Sequence, residues 1–149
     1  MRGGASVAVF DIRSAGPVAF DWVEEKSAYK ITGSADASGE PIGNEASFTT
    51  EEWASPDYTT GVNHVDGHAV VKASGGDEVH IHYFGDSPAP DMTTGNFADD
   101  LKFEITGGTG QFDGASGSGR LTAHGNINEN PCVVSSHLEG SIEVPALQS

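Results

Sequence analysis

Apolar and polar residues alternate with a period of two at several places along this chain, a pattern of strands with one wet face. In "SVAVFDIRS", Ala8, Phe10 and Ile12 fall on one side. In "LKFEIT", Leu101, Phe103 and Ile105 oppose Lys102 and Glu104; in "SHLEGSIEV", Leu138, Ile142 and Val144 oppose Glu139 and Glu143. No long segment carries a 3.6-residue apolar stripe. Turn clusters separate the runs: "SADASGEPIGN", "SGGD", "GDSPAPDMTTGN", "GGTG" and "NINENP". Leu occurs four times among 149 residues and Gly 20 times, so strong helix formers are scarce and turn formers abundant. Six to nine strands with one wet face each describe an all-β antiparallel barrel or sandwich. No linker interrupts the chain, and one domain is expected over residues 1–149. Residues 86–100 read as the longest loop, and "TTEEWASPDY" (49–58) as the one short helix or lid.

Charge narrows the partners. With 22 acidic and 7 basic residues the formal net charge is −15, a field that repels phosphate backbones and anionic lipid headgroups. Neither nucleic acid nor a membrane surface is an expected partner. The acidity reads as a solubility feature rather than an attraction for cationic ligands. Cys132 is the single cysteine, so no intrachain disulfide, Cys-rich metal site or redox pair can form; it reads as a small, partly buried apolar side chain. No apolar run approaches a membrane span, and the apolar part of "MRGGASVAVF" is short for a signal peptide. The expected location is the cytoplasm, or outside the cell if a leader has been removed.

The segment "FEITGGTGQFDGASGSGRLTAHGNI" (103–127) is more specific. A strand runs into Gly107 and Gly108, expected to form a positive-φ corner, with Phe112 plugging beneath it. The small residues Gly114 to Gly119 let the returning strand bend and pack closely. A phosphate cradle is disfavoured, because a strand rather than a helix follows and the loop holds no Lys. Residues 105–110, 112, 114–115 and 117 resemble the corner motif of the allene-oxide-cyclase-like barrel superfamily, which includes dirigent proteins, with Gln111 where Arg is usual. "KASGGDEVHIHY" (72–83) and "LEGSIEV" are similar to the preceding hairpin and closing strand of its bacterial members. The resemblance covers about residues 62–144. It implies an eight-stranded antiparallel barrel, often a homodimer or homotrimer, able to hold an apolar small molecule. It implies no particular chemistry.

Four of the six histidines lie in "HVDGHAVVKASGGDEVHIHYF" (64–84). A two- or four-residue loop at "SGGD" would mix histidines with small apolar groups on both sheet faces. A three-residue "SGG" loop pairs Lys72 with Glu78, Val70 with His80 and His68 with His82. It segregates Val65, Ala69, Val71, Val79, Ile81 and Tyr83 from a polar face of His64, Asp66, His68, Lys72, Glu78, His80 and His82, and is preferred. Three roles are open to that face. It can be the solvent side, since the apolar face has the better claim to the core. It can hold zinc, copper or iron through His64, Asp66, His68, His80 and His82. Or it can line the barrel, with His68, His82, Asp66 and Glu78 as candidate catalytic acid–base groups.

Other chemistry is sparse. Glu24/Glu25 and Glu51/Glu52 are adjacent pairs whose members face opposite ways on a strand, poor candidates for a glycosidase pair. There is no Gly-x-Ser-x-Gly elbow, and no cofactor is expected. Trp22, Phe48, Trp53, Tyr58, Tyr83 and Phe103 are candidates to line or cover a ligand cavity. The expected function is a small-molecule isomerase or cyclase of secondary metabolism that confines an apolar substrate. The alternatives are a non-catalytic dirigent-like or ligand-binding barrel, and a metal-binding barrel using the His-rich hairpin.

Overall fold

A computed structural model describes residues 6–145. Residues 1–5 and 146–149, and with them part of the expected single domain and of the leader reading, lie outside the described residues. The strands are β1 (Ser6–Val23), β2 (Ala28–Glu40), β3 (Gly43–Asp57), β4 (Val62–Lys72), β5 (Glu78–Pro88), β6 (Asn96–Gly108), β7 (Ser116–Asn126) and β8 (Cys132–Val144). Each pairs antiparallel with the next, and β8 returns to β1 from Ser6↔Val144 to Val18↔Cys132, closing an eight-stranded barrel. Closure gives every strand among the described residues a neighbour on both sides. The only helices among the described residues are two 3-10 turns, and none is long and apolar enough to cross a membrane.

The alternation is realised except at the strand ends, where Ala8 is exposed beyond the reach of β2 and Val144 is only partly buried. Phe10, Ile12, Leu101, Phe103, Ile105, Leu138 and Ile142 point inward, while Lys102, Glu104, Glu139 and Glu143 lie outside. One end of the barrel is packed solid. Phe10 meets Phe103 there with ring centroids 5.8 Å apart, and Val71, Val79 and Ile105 fill the space around them. Phe112, in the 3-10 turn Gly110–Phe112, plugs that end at 3 % exposure. Burying a side chain of that size stabilises by about 2–3 kcal/mol.

The reason for the corner glycines differs from the expectation. Positive φ occurs at Gly110 (59°), Gly114 (76°) and Gly117 (153°), not at Gly107 or Gly108. Gly108 is instead a point of close approach: a Cβ there would sit 2.5 Å from the Glu78 carbonyl oxygen and 2.6 Å from that of Phe112. Two further expectations are corrected. Residues 49–58 form no helix or lid, because Thr49 to Asp57 belong to β3 and pair with β4. The loop expected over 86–100 shrinks to residues 89–95, since β5 runs to Pro88 and β6 begins at Asn96.

The hairpin β4–β5 adopts the preferred register, with Lys72↔Glu78, Val70↔His80 and His68↔His82. The bond from Ala73 N to the Asp77 carbonyl closes the turn over Ser74, Gly75 and Gly76, and Gly76 takes φ 102°. Cys132 is buried, and burial pushes its thiol up, away from a reactive thiolate.

Candidate functional site

At the end opposite the Phe112 plug, small inward residues replace large ones. Gly16 and Gly33 on β1 and β2 let these strands approach: a Cβ on Gly16 would lie 2.6 Å from that of Ala35, and one on Gly33 2.8 Å from Val18 Cγ1. With Ala54 and Ala123 also in the wall, a cavity of about 130 Å³ remains. That is close to the engineered apolar cavity of about 150 Å³ known to take benzene, so a six-membered ring fits. Phe48, Val65, Phe97, Leu101 and Leu121 supply its apolar lining, while half-exposed Phe20 and Ile127 stand at its mouth.

Into this apolar wall the strands insert a short polar series. Thr50 and Glu52 come from the inward face of β3, Tyr83 and Ser87 from β5, and Asp99 from β6. The Tyr83 hydroxyl donates to Glu52 Oε1 at 2.9 Å, and the Thr50 hydroxyl lies against the same phenol oxygen. Gly67 makes this possible: the Tyr83 ring crosses it so closely that a Cβ would sit 2.3 Å from Cζ. Ser87 donates to Asp99 Oδ1 at 2.5 Å.

Burial pushes the Glu52 carboxyl up to about 7; the bond from Tyr83 opposes the shift and the charge of Asp99 adds to it. Burial also raises Asp99, partly offset by Ser87. The Tyr83 phenol is driven far above its ordinary range, by burial first and then by the charge of Glu52, so it stays a donor. A carboxyl that titrates near neutrality, in a ring-sized apolar space, is equipped to take up and return protons.

The outer wall carries the histidines. Val65, Ala69, Val71, Val79, Ile81 and Tyr83 occupy the inside of β4 and β5, so by the period of two their neighbours point out. The barrel-lining role for His68, His82, Asp66 and Glu78 is therefore overturned. The five expected metal ligands divide. His68 and His82 stack with centroids 4.9 Å apart, and His82 Nε2 lies 3.0 Å from Asp66 Oδ2. These three present donor atoms within 4.8 Å of one another, a set suited to a borderline divalent ion with open positions left over. His64 is engaged elsewhere, with Nδ1 2.6 Å from Asp86 and Nε2 3.2 Å from Asp57. His80 pairs with Glu78 at 2.9 Å. A second outer group, Asp11, His137 and Glu139, is equally compact and was not anticipated from sequence.

Of the aromatic candidates, Phe48 and Tyr83 line the cavity. Phe103 does not, being part of the packed end. Trp53 faces outward beneath Lys26 and Lys30, whose Nζ atoms lie 5.1 and 5.8 Å from its ring. Trp22 packs edge-on against Tyr29 beyond the cavity wall, and Tyr58 is 88 % exposed in the β3–β4 turn. Glu52 and Asp99 are the residues that sequence reasoning missed. Their signal was parity: Glu52 alternates with Phe48 and Ala54, and Asp99 with Phe97 and Leu101.

No family model matches the chain, and no curated protein is significantly similar to it.

Proposed function

We propose that the barrel is a small-molecule isomerase or cyclase that confines an apolar, ring-containing substrate and moves a proton with Glu52. The observation that carries this reading is the Glu52–Tyr83 hydrogen bond in the wall of the cavity. The resemblance to the allene-oxide-cyclase-like superfamily supports the class, because members of that group enclose apolar molecules in such a barrel. Confinement fixes conformation and excludes water, and the carboxyl supplies the acid–base step. Tyr83 donates to the ionised carboxylate and orients it toward the lumen. The candidate catalytic group thereby moves from the outer histidines to Glu52, with Tyr83 positioning it and Phe48 contacting the ligand.

A probe reaction tests the claim without knowledge of the natural substrate. The elimination of 5-nitrobenzisoxazole needs only a placed carboxylate base in apolar surroundings. The protein should accelerate it over free acetate by about 10²-fold or more, the usual range for a positioned base. The rate should rise with pH through about 7, where Glu52 ionises. Glu52→Gln should return it to background with the fold intact by circular dichroism. Equal rates for the two proteins would leave a ligand-binding barrel without acid–base catalysis.

A further inference from the structure

The charge of the cavity wall identifies the kind of molecule it takes. Among the described residues, Glu52 and Asp99 are the only ionisable groups of the lining apart from Tyr83, and no Lys, Arg or His faces the lumen. Among the described residues, the basic side chains are all elsewhere. Arg13, Lys30, Lys72, Lys102 and Arg120 stand on the outer wall, and Lys26 lies in the 3-10 turn after β1. Arg120 is paired with Asp100 there, and Lys30 with Glu51. Inside, each carboxyl is satisfied by a neutral hydroxyl only, Glu52 by Tyr83 and Asp99 by Ser87. Two partly desolvated carboxyls thus share a small apolar space and have no counter-cation from the protein.

We infer that the cavity selects an apolar ligand bearing a protonated amine, which pairs with Asp99, and rejects carboxylates. The inference rests on the reading of this cavity as the ligand site. Asp99 is the better partner because it stands near the mouth end of β6 and is the less buried of the two carboxyls, each of which is held by one hydroxyl. A hydrogen-bonded ion pair in these surroundings is stronger than one on the surface. An anionic ligand would meet like charge with only neutral donors, the hydroxyls and the Asn63 amide, and no cation to offset it. The upward displacement of both carboxyls agrees with this, since each lacks a cation that would hold it ionised. Two of the 22 acidic residues thereby acquire a role that solubility does not cover.

Three probes of one skeleton test it: benzylamine, benzyl alcohol and benzoate, titrated at pH 7.5 into ¹⁵N-labelled protein. Benzylamine should shift amides of Phe48, Val65 and Leu101 with a Kd at least ten-fold below that of benzyl alcohol, and benzoate should shift none. Asp99→Asn should bring benzylamine to the level of the alcohol and leave the alcohol unchanged; Asp100→Asn, on the outer wall, should alter neither. The selectivity is overturned if benzoate binds as well as benzylamine, if the alcohol equals the amine, or if Asp99→Asn keeps the preference. In those three cases the cavity still binds a ligand, so the reading of the site survives. It is overturned together with the selectivity if none of the probes shifts cavity amides, including the case in which benzylamine shifts only outer-wall residues.

Discussion

Tyr83 ties the protonation of Glu52 to the packing of the barrel. Its hydroxyl lowers the Glu52 carboxyl while the apolar wall raises it, and the wall wins. Removing only the hydroxyl should let the wall act unopposed. In Tyr83→Phe the Glu52 carboxyl should titrate above about 7, and the benzisoxazole profile should move to higher pH. A ¹³C titration of the glutamate side chains reads this directly, and movement to lower pH would contradict the assignment. Glu52 itself illustrates what sequence hides. Its parity with Phe48 and Ala54 places it inside, yet its neighbour Trp53 is the residue that apolar character would send inward. Trp53 lies outside instead, with the Lys26 and Lys30 ammonium groups over its ring. A single large aromatic was enough to obscure the face.

The hairpin β4–β5 was the most legible element, because two independent constraints agreed. Gly76 fixed the turn and apolar segregation fixed the register, and a slip of one residue would have violated both. The element β3 was the least legible. Its Thr, Glu, Trp and Ala composition carries no clean alternation, and its strand character comes from pairing on both sides with β2 and β4. On the outer face of the hairpin, register also decides which histidines can act together. Ni²⁺ or Zn²⁺ should bind at one equivalent near neutral pH, at this two-imidazole set in preference to the single imidazole of Asp11, His137 and Glu139, and perturb His68 and His82. His68→Ala should abolish binding and His64→Ala should not, since both nitrogens of His64 already face carboxylates. Isothermal titration with untagged protein distinguishes these outcomes.

At the scale of the whole molecule, the buried carboxyls make stability depend on pH in an unusual direction. Glu52 and Asp99 bind their protons more tightly in the folded chain than in the unfolded one. Their contribution is therefore full in mild acid and is lost as pH rises through the folded values. For Glu52 the displacement from 4.5 to about 7 corresponds to about 3–4 kcal/mol as an upper bound. Asp57, Asp91 and Asp100 are shifted downward and act oppositely, but only as pH falls below the ordinary carboxylate range. Urea unfolding should accordingly show stability falling between about pH 4.5 and pH 7. Glu52→Gln should flatten most of that slope; an unchanged slope would assign it to other groups.

The seam between β1 and β8 bears on how the chain could be rewired. Ser6 sits directly across from Val144, so a few residues of glycine and serine could join Pro145 to Ser6 without crossing the barrel. New ends opened at Gly75, in an exposed turn with empty space around it, would leave all eight strand pairings in place. Such a circular permutant should fold to the same barrel and keep the elimination activity, as amide spectra and the benzisoxazole assay would reveal. The order in which the strands are written is then a matter of chain history rather than of architecture.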